Sequence, residues 1–406
     1  MLPWLSARWL APLALCALLG LGTGVWFNAA QGVPQGTDFL LFVASAQAFT
    51  HQLGLYHTFY YAPDVPGGIQ FLPDSLALSH NLNPPVLTLL TLPLVPLDLR
   101  TAYYVWCAGQ VGLALLAGFT LLRQAAARAG FVIVLCVYYP VLANLQIGQM
   151  GLLLFALLAL YWHAAEQGQV RRAGVLLGLA LLLKLFVGLI FVWLLLQRRW
   201  AILIYGAAVW AVGMGLGLLL FGVANHRDWL DVVTTYSAGG LNWNASLYGV
   251  VQRYTGGMPL PALLPLTLSF GLVAVVWLNQ QRQHPASFSL GIALCCPLML
   301  LLTPLGWIYY FPVLLLSALI LWQQSENLPH PQPFRRTLIV GMALSGVPQL
   351  LTVPESSHLF LWRRYAQDDF TVSWFVAPEV YPLALALLCA LPLWLAYKAR
   401  STHTGA

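Results

Sequence analysis

The sequence predicts an all-α integral membrane protein, a polytopic bundle of about 11–13 transmembrane helices with outward-facing loops. Three observations carry this. The chain is 60% hydrophobic and only 7% charged, whereas a soluble domain carries roughly 25% charged residues to coat its surface. Apolar runs long enough to cross a bilayer, about 20 residues each, recur along its length. Basic residues gather in the short connections and acids in the long ones, the asymmetry that orients membrane proteins.

The runs fall at 9–29, 101–122, 129–146, 149–165, 173–196, 201–222, 260–279, 287–303, 305–322, 337–353 and 375–397. The first follows Arg8, is long enough to span and has no clear small-x-small cleavage site, so it reads as an uncleaved helix. Segment 84–97 is apolar but short, with Pro93 and Pro96 inside it. The long polar connections are 30–83, 223–259 and 354–374, and they hold Asp38, Asp64, Asp74, Asp228, Asp231, Glu355, Asp368 and Asp369. The short ones hold Arg123, Arg128, Arg171, Arg172, Arg198, Arg199, Arg282, Arg335 and Arg336, with Lys398 and Arg400 near the C-terminus. The positive-inside rule places the short set in the cytoplasm and the three long loops outside, on a single polytopic domain, 1–406, in the cell membrane. Arg123 and Arg128 stay inside if one of 84–97 and 101–122 is re-entrant and 173–196 is a bent hairpin with Lys184 near its outer tip.

Several function classes drop out. The net charge of +6 is dispersed between apolar runs, not gathered into a patch for nucleic acid. Cys16, Cys107, Cys136, Cys295, Cys296 and Cys389 lie in apolar segments without metal spacing, and the nine histidines form no HExxH. No metal and no cofactor is expected, and neither a GxGxxG after a strand nor a P-loop is present. The halves differ in loop length, so an inverted-repeat transporter has no support.

Candidate chemistry sits at a few polar points. Asp38, in Gly36-Thr37-Asp38-Phe39, stands at the outer membrane boundary. Partial desolvation there raises a carboxylate's pKa and suits it to general-base work; capping a helix that begins near Phe39 is the alternative. Lys184 is the charged residue deep in an apolar run, where an ionisable group costs about 2.5–3.5 kcal/mol on insertion scales and faces a cavity and partner; a snorkelling lysine is the alternative. Segment 225–254 mixes amide, hydroxyl, aromatic and basic groups through Asn244, Ser246, Tyr248 and Arg253, suited to a sugar and a phosphate or, equally, to an interfacial aromatic belt. Asn83-Pro84-Pro85 reads as an N-cap with helix-starting prolines. Arg363-Arg364 and Asp368-Asp369 either bind phosphate or pair with each other.

Taken in order, these residues resemble the polyprenol-phosphate-mannose-dependent alpha-mannosyltransferase family, glycosyltransferase family 87, among the GT-C membrane glycosyltransferases. The resemblance spans roughly 20–325 and rests on Gly36-Thr37-Asp38-Phe39, Asn83-Pro84-Pro85, Gly148-Gln149, Ala173-Gly174 through Leu177-Gly178-Leu179-Ala180 to Lys184, Asn244-Ala245-Ser246-Leu247, and Thr303-Pro304 with Trp307-Ile308-Tyr309-Tyr310. Three positions depart from the family pattern: Gly151 where Asn is frequent, Val187 where Pro is frequent, and Tyr309-Tyr310 where histidine is common.

The resemblance implies a GT-C-like bundle and inverting transfer of a sugar, mannose by the family's name, from a polyprenyl-phosphate carrier to a glycan or glycolipid acceptor at the outer face. It implies Asp38 as base, Lys184 and Arg253 at the donor phosphate, and Asn244, Ser246, Trp307, Tyr309 and Tyr310 around the sugar and lipid. A transporter or flippase for a lipid-linked solute, and a catalytically inactive relative, are the competing readings; a transporter places ionisable groups along several helices near the midplane.

Overall fold

The computed structural model describes residues 12–18, 36–57, 59–61, 68–71, 81–235, 244–255, 269, 271–277, 279, 286–347 and 379–403. The predicted runs 9–29, 260–279, 337–353 and 375–397 and the loops 30–83 and 223–259 lie partly outside the described residues. Loop 354–374, with Arg363, Arg364, Asp368 and Asp369, lies wholly outside them.

The described chain is helical apart from one small antiparallel sheet. In order it forms α1 (Thr37–Thr50), β1 (Phe59–Tyr61), β2 (Ile69–Phe71), short turns over 85–94, α2 (Leu99–Leu121), α3 (Ala125–Val137), α4 (Tyr139–Ile147), α5 (Gly151–Glu166) and α6 (Val170–Leu183). There follow α7 (Gly188–Leu196), α8 (Trp200–Thr235), α9 (Leu247–Thr255), α10 (Ser287–Leu302), α11 (Leu314–Gln324), α12 (Pro331–Ser345) and α13 (Val380–His403). β1 pairs with β2, Phe59 opposite Phe71.

Among the described residues four stretches are long and apolar enough to cross a bilayer alone: Leu99–Leu121, Trp200–Thr235, Ile308–Asn327 and Val380–Lys398. α3 and α4, bent by 58°, together make a fifth. The bend falls at Tyr138, where Pro140 supplies the first-turn proline of α4 and no intrahelical donor is needed. Of the remaining predicted runs within the described residues, 149–165 and 287–303 each form one continuous helix of 16 residues, and 173–196 is broken at Lys184, where the site lies.

Helix packing follows burial demand. Every residue from Ser287 to Leu301 is buried, as suits a helix apolar on all sides at the centre of a bundle. α8 instead shows apolar side chains outward, with Val212 71% and Leu219 82% exposed, a face fitted to lipid tails. α6 and α8 approach closely through small residues: a Cβ on Gly178 would lie 2.6 Å from the Gly206 carbonyl oxygen. Gly174 meets Ile202 and Tyr205, and Leu182 meets Gly213, so the two helices run parallel. The intervening α7 therefore runs back, and 173–196 is the predicted hairpin with Lys184 at its tip.

The arginines of the short connections collect at one end of the bundle. Arg128 donates to the carbonyls of Leu122 and Phe119 beyond the last turn of α2, Arg199 covers the Phe288 ring at 4.4 Å, and Arg335 covers Trp322 at 4.4 Å. α5, α6, α7, α10 and α11 each have one end there and the other at a single cluster of polar residues. The turns over 85–94 have both flanks at that far end: Asn83 meets Lys184, and Asp98 caps α2, whose first turns clamp 145–148. This is the re-entrant arrangement that charge placement favours.

Candidate active site

Asp38 lies in the first turn of α1, where the helix dipole favours an anion. The N-cap is Gly36, in a left-handed conformation, with no side-chain cap. The helix starts two residues earlier than the capping alternative requires, and the carboxylate is left for other use. Its Oδ2 accepts a hydrogen bond from Gln149 Nε2 at 2.6 Å. α1 is not among the spanning helices. Burial raises the Asp38 carboxyl above its ordinary pKa, while the Gln149 hydrogen bond and the Lys184 charge act in the other direction.

Gln149 is carried by the turn between α4 and α5. Gly148 closes α4 with φ +74°, and a Cβ there would stand 2.5 Å from Phe39 Cβ, so only glycine fits both the backbone and the neighbour. α2 holds this turn from outside: Tyr103 Oη donates to the Leu145 carbonyl at 2.6 Å and Trp106 Nε1 to that of Gly148 at 2.8 Å. The Gly36 N–H donates to the Gln146 carbonyl at 2.8 Å, tying the Asp38 helix to the same turn.

The other end of the Gln149 amide faces Tyr310, whose hydroxyl donates to Oε1 at 3.4 Å. Lys184 Nζ lies over the Tyr310 ring, 4.9 Å from its centroid, and donates to Asn83 Oδ1 at 2.8 Å. Lys184 takes an extended conformation that breaks the chain between α6 and the turn 185–187. Asn83 is not the expected N-cap: Pro84 occupies that position, without a side-chain cap. The Asn83 amide donates to Asn81 Oδ1 at 2.8 Å, and Asn81 Nδ2 donates to Ser45 Oγ at 2.8 Å. Ser45 is again on α1, so the contacts close into a ring: Asp38, Gln149, Tyr310, Lys184, Asn83, Asn81, Ser45.

An aromatic group flanks the ring. Trp307 and Tyr309 stack with centroids 5.7 Å apart at 19°, and Tyr309 and Phe186 both meet Tyr310 edge-on at 5.4 Å. Asn244 and Ser246, both 0% exposed, serve the backbone beneath this group. Asn244 Nδ2 donates to the Pro304 carbonyl and Asn244 Oδ1 accepts from Gly306 N–H, while Asn244 bridges Trp307 as an isolated strand pair. Ser246 Oγ donates to the same Pro304 carbonyl at 3.2 Å and accepts from Gly249 N–H at 2.9 Å.

Arg253 joins the cluster at one remove. Its Nε is 3.2 Å from Glu379 Oε1, in a pair whose side chains are 9% and 25% exposed, and its Nη1 donates to the Asn244 carbonyl at 2.9 Å. Among the described residues no group of three or more His, Cys, Asp or Glu is placed to hold a metal.

Of the predicted residues, the structure brings Asp38, Lys184 and Tyr310 together and sets Trp307 and Tyr309 beside them. It puts Asn244, Ser246 and Arg253 in the supporting layer. Gln149 was visible as a motif residue without an assigned role, and Asn83 as an N-cap. Asn81, Ser45, Tyr103 and Trp106 carry no local signal that would have found them.

Residues 81–304, more than half the chain, match glycosyltransferase family 87. The chain belongs to that family. A relative from Mycolicibacterium smegmatis is 24% identical over 302 residues. It is named a polyprenol-phosphate-mannose-dependent alpha-(1-2)-phosphatidylinositol mannoside mannosyltransferase. The alignment covers 70% of this chain and 64% of that relative. No solved structure matches the chain. The family match takes in Asn83, Gln149, Lys184, Asn244, Ser246 and Arg253; Asp38 and Trp307 to Tyr310 lie beyond its ends.

Proposed function

We propose that this protein is an inverting membrane glycosyltransferase that moves a sugar, mannose by analogy with its relative, from a polyprenyl-phosphate carrier to a glycolipid or glycan acceptor. One observation carries the reading: the Asp38 carboxylate and the Lys184 ammonium are held at two sides of one fixed polar ring.

Asp38 takes the proton of the acceptor hydroxyl as its oxygen forms a bond to the anomeric carbon. The bond from that carbon to the phosphate oxygen breaks on the opposite face, and its electrons leave with the polyprenyl phosphate. Lys184 meets the negative charge gathering on that phosphate, and fixed charges at developing charge contribute strongly to catalysis. Tyr309, backed by the buried Trp307 ring stacked on it, offers an aromatic surface to sugar or prenyl carbon. Arg253, Asn244 and Ser246 hold that surface in place; Arg253 is balanced by Glu379, so the phosphate falls to Lys184.

Topology supports an outer-face site. The cluster lies at the end of the bundle opposite Arg123, Arg128, Arg171, Arg172, Arg198, Arg199, Arg335 and Arg336, which the positive-inside rule puts in the cytoplasm. Preorganisation supports catalysis over translocation, because each ring member is already tied to its neighbours.

The test is turnover by purified protein of a panel of polyprenyl-phosphate sugars with a glycolipid extract. Release of polyprenyl phosphate together with a new glycosidic bond of inverted configuration is expected; retained configuration would contradict the single-base mechanism.

A further inference from the structure

Lys184 raises a question that the transfer reaction alone does not answer: what keeps a long, flexible ammonium where a phosphate can use it. The lysine stem carries about 2 kcal/mol of rotamer entropy, and ordering it at the moment of donor binding would weaken that binding. Lys184 sits at the broken tip of a hairpin, in an extended conformation between α6 and the helical turn 185–187.

We propose that Asn83 is a positioning residue for this ammonium, holding it in place without neutralising it. This rests on the transferase reading above. An ammonium has three donors. Asn83 Oδ1 takes one at 2.8 Å, and the Tyr310 ring lies against it at 4.9 Å. Both partners are uncharged, so neither cancels the charge offered to an anionic ligand. The ion pairs found among the described residues, Arg253–Glu379 and Arg335–Glu326, leave Lys184 outside them.

Asn83 is itself immobile. Its side chain is buried, and its Nδ2 and backbone N–H both donate to Asn81 Oδ1, at 2.8 and 3.1 Å. Its carbonyl accepts from Tyr56 Oη. Trp229 Nε1 donates to the neighbouring Leu82 carbonyl at 3.2 Å, anchoring the 81–83 strap to the C-terminal part of α8. Donation to Asn81 fixes the amide orientation: flipped, its NH2 would face the ammonium. Asparagine is therefore the right size and the right charge. Aspartate would match the size and cancel the charge.

Substitution separates positioning from simple structural support. The probes are polyprenyl phosphate, the predicted leaving group, and the matched uncharged polyprenol, with binding to the full-length protein measured for each. Wild type is expected to favour the phosphate. Asn83→Asp, isosteric and still able to accept from Lys184, should lose about tenfold or more in phosphate affinity with polyprenol affinity unchanged, by local neutralisation of the cation. Asn83→Ala keeps the charge but frees the stem, and should lose about three- to tenfold on the phosphate alone. It also serves if the aspartate variant does not fold. Either variant binding both probes as wild type does, or losing both equally, would overturn the role. A wild type that does not distinguish the two probes would overturn the donor reading itself, and the positioning role with it.

Discussion

The α-carbon of Gly151 packs beneath the main-chain carbonyl of Tyr309, so closely that a Cβ at 151 would stand 2.1 Å from that oxygen. Two of the three departures from the family pattern are thus one local arrangement. The first turn of α5 approaches the Trp307–Tyr310 segment as it does because position 151 has no side chain. Gly151→Ala should push the 308–310 segment away and carry the Tyr310 ring off Lys184. Overpacking of this kind typically costs 1–3 kcal/mol. A lowered unfolding temperature in detergent together with reduced turnover is expected; wild-type values for both would show that the contact is dispensable.

Gln149 is predicted to act through Asp38. Gln149→Leu keeps the bulk but removes the 2.6 Å hydrogen bond that aims the carboxylate. Misorienting a base by a fraction of an ångström lowers the chemical step, so turnover should fall about ten- to a hundredfold. The KM for the donor should hold, because Lys184 and Asn83 are untouched. A change in donor KM with turnover intact would move Gln149 to the phosphate side.

The pH dependence has a definite sign. Asp38 works as a base only when ionised, and burial raises its pKa above 3.8. Turnover should therefore fall as the pH drops, with the acid limb centred above the ordinary carboxylate range. Because Lys184 opposes the shift, Lys184→Met should move that limb to higher pH. A limb unmoved by the substitution would mean that another group sets it.

Arg253 is predicted to matter for stability more than for donor binding. It joins α9 to Glu379, at the start of α13, and supports the Asn244 carbonyl. Arg253→Met should cost about 2 kcal/mol, between the values for exposed and fully buried pairs. Donor affinity should stay near wild type. Loss of affinity without loss of stability would return Arg253 to the phosphate.

Much of this was legible in the sequence, for physical reasons that also mark where legibility stops. Apolar run length and arginine placement give the membrane class, a turn-back in one of 84–97 and 101–122, and the hairpin at Lys184, because lipid imposes those constraints residue by residue. Asp38 and Lys184 stood out because a charge in an apolar context is costly. Asn83 and Gln149 did not, since a neutral amide costs little wherever it sits. Their role appears only when α1, the 81–83 strap and the 148–149 turn meet. The Arg253–Glu379 contact was not legible either, because the two residues stand 126 apart in the chain.

The central claim is that Asp38 is the base of a polyprenyl-phosphate-dependent transfer. Its most direct test is release of free polyprenyl phosphate from a polyprenyl-phosphate sugar, in the presence of a glycolipid acceptor extract, by wild type and by Asp38→Asn. Loss of a general base typically costs 10²–10⁴-fold, while asparagine keeps the shape and still reaches Gln149. Release by wild type, a fall of about that size in the variant, and donor binding preserved in both are expected. Equal release by the two proteins would contradict it.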